Sequence, residues 1–206
     1  MDITDWLNIS YKSLQDRKQF GSKLGYILDE SLSDNDNTIF YNPNASPEKK
    51  LVMLVAGTHT LKDIGTDIYL ALGRLKDTER YKRSKSILTQ AKQKYNTNVA
   101  TLIGHSLGGT TIGYIASPQD KVYEYNKGVT LGQKTRPFAN SYRTSGDIIS
   151  VLGDKKIKTF KNGSVLKNVG ISSAMGLINP LVGGVNLVRN FKSYHDIDRI
   201  KGKIRF

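Results

Sequence analysis

The sequence predicts an α/β fold, a mostly parallel sheet flanked by helices. Three observations predict it. Two short and mostly apolar runs, Leu51–Ala56 and Val99–Ile103, read as strands covered on both faces. Between them, Asp77–Tyr95 has helical spacing. Ser84, Leu88, Ala91 and Tyr95 share one face, and lysines and arginines occupy the other. A further glycine-rich helix follows the second run, so strand, helix, strand and helix alternate. That order makes a βαβ unit with parallel strands. A chain of 206 residues buries a real core as a single domain over 1–206.

The remaining elements follow in order. Asp2–Leu32 has helical spacing in part, anchored by Trp6, Ile9 and Leu14. Ser33–Asn37 is a turn, Thr38–Tyr41 a short strand, and Asn42–Lys50 a polar loop with two prolines. After the second apolar run, Gly109–Ala116 starts a helix. Lys121–Tyr125 alternates as a strand, Gly128–Gly132 is a second candidate, and Lys156–Phe160 alternates again. An apparent strand ends near Ser145. Asn168–Val188 carries no charge over 21 residues, long enough to span a bilayer. Its asparagines, glycines and Pro180 make it a poor transmembrane helix, and it is expected to cover part of the site instead.

Composition bounds the function. A hydrophobic fraction of 38% is too high for a disordered chain. The absence of cysteine removes disulfides and thiol chemistry and suits a reducing compartment. Met1–Ser10 lacks the basic and apolar regions of a signal peptide. Lysine and arginine number 31 against 18 acids, a net charge of +13 that attracts an anionic partner. The basic residues cluster in Arg74–Lys94 and Lys155–Lys167. No recognised nucleic-acid motif accompanies them, so no nucleic-acid partner is expected.

The most informative segment is Gly104-His105-Ser106-Leu107-Gly108, a G-x-S-x-G pattern between a strand and a helix. Such a turn lifts the serine hydroxyl out of the sheet. It also aims the first N–H groups of the helix at whatever the serine attacks. A phosphate loop is excluded, because Thr110 follows Gly109 where that loop requires lysine.

A serine nucleophile needs a base, and the base needs an acid that holds its tautomer. On this type of strand-turn-helix, the chain order is serine, acid, histidine. Of His59, His105 and His195, only His195 follows the serine, and it is the expected base. His105 lies within the turn and is assigned a packing role. Five aspartates follow Ser106. Asp196 and Asp198 are too near His195 in sequence, and Asp120 belongs to the turn after the helix. Asp154 is followed by lysines and reads as surface charge. Asp147 follows the apparent strand, precedes Ile148-Ile149, and is the expected acid. The Thr58 N–H, in Ala56-Gly57-Thr58 after the first buried strand, pairs with the Leu107 N–H as the expected oxyanion hole.

Four segments together resemble the class 3, fungal-lipase-like branch of the α/β-hydrolases. They are Leu51–Thr58, Ile103–Gly109, Tyr142–Leu152 and Tyr194–Asp196. The resemblance implies an α/β-hydrolase fold with its nucleophile elbow at Ser106, and two-step hydrolysis of acyl esters. It also implies a short lid helix at about Thr60–Asp67. It departs from the family at Val55-Ala56, where many members have Phe-Arg, and at Ser150, where a proline is common. The short chain, free of cysteine and with no signal-peptide pattern in Met1–Ser10, looks more like compact intracellular or viral versions, so the resemblance implies a cytoplasmic or virion-associated protein. The expected substrate is a lipid ester, a phospholipid at an anionic membrane surface in particular. The competing expectations are a short-chain esterase or amidase, and a non-catalytic membrane- or protein-binding module. The chemistry needs no metal or organic cofactor, and no His-Glu-x-x-His or Cys/His cluster suggests one.

Overall fold

A computed structural model describes residues 2–58, 75–128, 136–144 and 158–160, with the single positions 197, 201, 202 and 204. Among these residues seven strands form one sheet, side by side in the order in which they occur in the chain. β1 (Ile27–Leu28), β2 (Asn37–Tyr41) and β3 (Leu51–Val55) make an antiparallel edge. β4 (Thr101–His105), β5 (Lys121–Tyr125), β6 (Ala139–Thr144) and β7 (Lys158–Phe160) then add to β3 in parallel. The fold is α/β with a mostly parallel sheet flanked by helices.

Local chemistry sets the helices. α1 (Ile3–Ile9) starts at Asp2, whose carboxylate accepts from the Thr4 N–H at 3.1 Å. α2 (Leu14–Lys23) starts at Ser13, whose hydroxyl accepts from the Asp16 N–H at 3.2 Å. α3 (Pro47–Lys50) is one turn with proline in its first position, where the missing N–H costs nothing. α4 (Glu79–Lys94) is capped by Thr78, with Glu79 in its first turn and Lys92 and Lys94 in its last, as the helix dipole favours. α5 (Leu107–Ile115) follows β4 after a single residue, Ser106.

The sheet is covered on both sides. Alternation along β3 sends Leu51, Met53 and Val55 to one face, where they meet Ile87, Leu88 and Ala91 of α4 and Ile112 of α5. Val52 and Leu54 face the other way, in a cluster with Ile3, Trp6 and Leu7 of α1. Consecutive right-handed crossovers running in one direction across a sheet put α4 and α5 on the same face. Trp6 is fully buried, with Phe20, Tyr26 and Phe40 edge-on to it at 5.1, 5.4 and 5.4 Å. Burial of one such ring stabilises the fold by about 2–3 kcal/mol. Ile197 and Ile204 belong to the same cluster, and the Ile3 N–H donates to the Ile204 carbonyl at 3.0 Å.

Several expectations are refined. The helical reading of Asp2–Leu32 resolves into α1, α2 and then β1. Gly25, at φ 77°, turns the chain out of α2 in the left-handed region that glycine enters freely. The loop Asn42–Lys50 contains α3. The second buried strand runs Thr101–His105, two residues later than expected. Of the candidate strand Gly128–Gly132 only Gly128 is described, and it is not in a strand. The uncharged stretch Asn168–Val188 and the lid segment Thr60–Asp67 lie outside the described residues. Among the described residues no helix is long and apolar enough to cross a membrane.

Candidate active site

All five parallel strands end at one edge of the sheet, and Ser106, Leu107 and Thr58 lie there. Ser106 is the single residue between β4 and α5. It has φ 54° and ψ −124°, a left-handed backbone that a non-glycine residue adopts only at a cost of about 1–3 kcal/mol. Serine at a helix start ordinarily spends its hydroxyl on an N–H of the first turn. Ser106 makes no such cap. The residue is buried, and its own N–H donates to the Tyr125 carbonyl at 3.0 Å, which ties the turn to β5.

The glycines around Ser106 serve close approach, while the strain falls on the serine itself. A Cβ on Gly104 would lie 2.7 Å from the Gly108 carbonyl carbon and 2.8 Å from the Gly109 nitrogen. A Cβ on Gly108 would overlap the Val55 carbonyl oxygen and lie 2.5 Å from that of Ala56. The start of α5 therefore rests directly on the end of β3. Each glycine inside a helix costs about 1 kcal/mol relative to alanine, so this contact is built at the expense of helix stability.

The loop after β3 reaches the same point. A Cβ on Gly57 would lie 3.0 Å from the Ser106 Cβ and 2.5 Å from the Tyr11 hydroxyl. The Gly57 N–H donates to Tyr11 Oη at 2.7 Å, and Tyr11 Oη also lies 2.7 Å from His105 Nδ1. Burial pushes the Tyr11 phenol up to about 12, against the opposing effects of the Gly57 N–H and the Arg80 charge. It therefore stays protonated across the physiological range. His105 is buried at the end of β4, edge-on to Tyr11 at 5.9 Å and stacked with Tyr125 at 5.7 Å. On the opposite side of the loop, Arg80 Nη2 donates to the Ala56 carbonyl, and to the Gly57 carbonyl at 3.2 Å.

Two polar clusters close the edge beyond the serine. Asn126 follows β5 at φ 42°, is fully buried, and its side-chain carbonyl accepts from the Thr144 N–H at 2.9 Å. This clamps the end of β6, from which the chain runs toward Asp147. Glu124, one residue from the end of β5, is buried against Lys127 at 2.8 Å and accepts from the Ser141 hydroxyl. Its second oxygen is buried without a hydrogen-bond partner.

Of the expected site residues, the structure brings Ser106, Leu107 and Thr58 to one edge. Asp147 and His195 lie outside the described residues. β6 ends at Thr144, three positions before Asp147 in the chain, and Ile197, two positions after His195, is buried in the cluster that holds Ile103 and Tyr125. Asp120 is at the opposite end of the sheet, where Lys92 Nζ meets both its oxygens at 2.7 and 2.9 Å. Tyr11 and Arg80 carry no signal of this role in the sequence. Both act on backbone groups of a loop, and such contacts leave no pattern in a sequence.

No family model, curated protein or solved structure matches the chain.

Proposed function

We propose that this protein is a serine hydrolase of the α/β-hydrolase type, resembling the class 3 lipases, that cleaves carboxylic esters of lipids. The observation that carries the reading is the backbone of Ser106. A strained φ of 54° between a buried parallel strand and a helix, with the hydroxyl withheld from capping, is what a nucleophile elbow requires.

In the proposed mechanism Ser106 Oγ attacks the ester carbonyl carbon while His195 takes its proton. The oxyanion so formed accepts hydrogen bonds from the Thr58 and Leu107 N–H groups. The tetrahedral intermediate collapses, the C–O bond to the alcohol breaks, and His195 returns the proton to the departing oxygen. Water then attacks the acyl-enzyme with the same proton relay, releasing the acid and regenerating Ser106. Asp147 holds the His195 tautomer. Support for the acid and base comes from connectivity. Strands run from Ser106 through β5 to β6, Asp147 follows β6, and His195 follows β7. That is the serine, acid, histidine order this chemistry uses.

A fluorophosphonate probe tests the reading in one step. Wild-type protein labels at Ser106, and Ser106→Ala does not. Wild-type protein that neither labels nor hydrolyses p-nitrophenyl esters of any chain length overturns it.

A further inference from the structure

We infer that Arg80 is a positioning residue that sets the oxyanion-donating peptide, an inference that rests on the serine hydrolase reading above. Arg80 is the second residue of α4, and its side chain reaches back under the loop that follows β3. One guanidinium nitrogen, Nη2, serves the carbonyls of both Ala56 and Gly57. The same nitrogen lies 3.4 Å from Asp36 Oδ1, and the Asp36 carbonyl accepts from the Ala56 N–H at 2.9 Å. The guanidinium is therefore anchored from the β2 side as well.

The consequence follows from peptide geometry. In a planar trans peptide the N–H points opposite to the C=O. Holding the Ala56 carbonyl on Arg80 turns the Gly57 N–H to the other side, and there it meets Tyr11 Oη at 2.7 Å. The first peptide of the loop thus spans Arg80 and Tyr11 in the orientation this rule demands. Holding the Gly57 carbonyl on the same nitrogen turns the Thr58 N–H away from Arg80 in the same manner. Tyr11 Oη and the Ser106 Cβ both lie beside Gly57, 2.5 and 3.0 Å from where a Cβ on it would stand. Arg80 touches no substrate. It fixes the rotation of two successive peptides, and the second carries the donor that the mechanism needs.

A guanidinium suits this task because it is planar, permanently charged and able to serve several acceptors at once. Lysine offers a point charge on a flexible stem. Removing an oxyanion donor outright costs roughly 10²–10³ in kcat, and loosening one costs less.

The test compares Arg80→Ala, Arg80→Lys and wild type on a soluble p-nitrophenyl ester, with melting temperatures measured alongside. Arg80→Ala is expected to lose about thirtyfold in kcat with KM within about twofold, because the lost interaction belongs to the transition state. Arg80→Lys should fall between the two. Methylguanidinium at tens of millimolar should restore at least about tenfold of the kcat lost in Arg80→Ala and leave wild type unchanged, a response that a merely destabilised protein would not give. Wild-type kcat in folded Arg80→Ala, or in Arg80→Lys where the alanine variant does not fold, overturns the inference. A rise in KM that accounts for the whole loss also overturns it, as does a loss that tracks the melting temperature and resists rescue. Wild-type protein without Ser106-dependent hydrolysis overturns this inference together with the reading beneath it, and that outcome is seen before any Arg80 variant is measured.

Discussion

The two ends of the parallel strands are built on opposite terms. At the amino end, charges are paired and hydrogen-bond acceptors filled. Asp120 takes Lys92 Nζ at 2.7 and 2.9 Å, the Ala100 N–H at 2.8 Å, and the Ser117 N–H and hydroxyl at 2.7 and 2.8 Å. Nearby, Thr101 Oγ1 donates to the Glu48 carbonyl at 2.6 Å. At the carboxyl end the backbone is strained at Ser106, helix-weakening glycines replace side chains, and Glu124 buries an unpartnered oxygen. One end of the sheet secures the fold, and the other spends stability on geometry. The same separation explains why Asp120, an acid that follows Ser106 in the chain, has no part in the proposed chemistry.

The sharpest way to break this comparison is at the strained end. Ser106→Ala is expected to lower kcat by on the order of a millionfold while the melting temperature stays within a few degrees. Ser106→Gly should be as inactive, yet more stable than the alanine variant by about 1 kcal/mol, because glycine meets φ 54° without strain. A serine-to-alanine change that unfolds the protein would mean that the carboxyl end secures the fold too. Asp147→Asn comes next, with a loss of roughly ten-thousandfold in kcat from the wrong histidine tautomer. Asp154→Asn should change kcat little, and the reverse result would move the acid to the next loop.

Asp120→Ala probes the other end. It strips a buried carboxylate from Lys92 and two backbone donors, and should cost about 3–5 kcal/mol of unfolding free energy. Activity per folded molecule should be unchanged, which urea titrations paired with assays at low denaturant would show. Smaller still is the effect of Asp29. Burial alone would raise this carboxyl, but hydrogen bonds from Lys94, Ser31 and Tyr95 overcome it and hold it at about 2, below the ordinary 3.8. A lowered folded-state value means that the stabilisation is full above about pH 4 and is lost as pH falls toward 2. The difference should be about 1–2 kcal/mol. Urea midpoints of wild type and Asp29→Asn should therefore converge between pH 4 and 2.5; parallel curves would refute the pairing.

The least effect is expected from the basic face of α4. Five of its cations already have acidic partners: Arg80 with Asp36, Lys82 with Glu79, Arg83 with Asp34, Lys92 with Asp120 and Lys94 with Asp29. If hydrolysis is faster on anionic than on neutral vesicles, as the phospholipid substrate expected from the sequence requires, Lys82→Gln should leave that preference within about twofold. The preference itself should shrink between 50 and 500 mM salt, as the Debye length falls to a few Å. Equal rates on both vesicle types at low salt would remove the anionic surface from the proposal.

What the sequence disclosed divides along the same line. Leu51–Val55 was legible because a strand buried on both faces must be apolar throughout. The turn at Ser106 was legible because close packing of β4, β3 and α5 admits only glycine at Gly104 and Gly108. β1 was not, since two residues at a sheet edge, one of them the exposed Ile27, carry no periodicity. Tyr11 and Arg80 were not, because they come from the turn after α1 and the first turn of α4 to grip a loop remote in sequence. On that loop their partners are peptide groups, which every residue owns. Asp147 and His195 rest on chain order, and their placement lies outside the described residues.

The order of the strands has a consequence for how the protein comes into being. Each strand lies beside the one made just before it, so a chain emerging from the ribosome can lay down the sheet without holding any strand back. The turn at Ser106 is complete once Tyr125 has accepted its N–H. His195 arrives much later, 70 residues after Tyr125 in the chain. Under the proposed chemistry, a nascent chain would carry a formed but unarmed serine until the segment with His195 emerges, and the cell that makes a lipid-cleaving protein would meet its activity only then. Ribosome-stalled chains halted before and after His195 should both present the sheet, and only the longer should react rapidly with a fluorophosphonate.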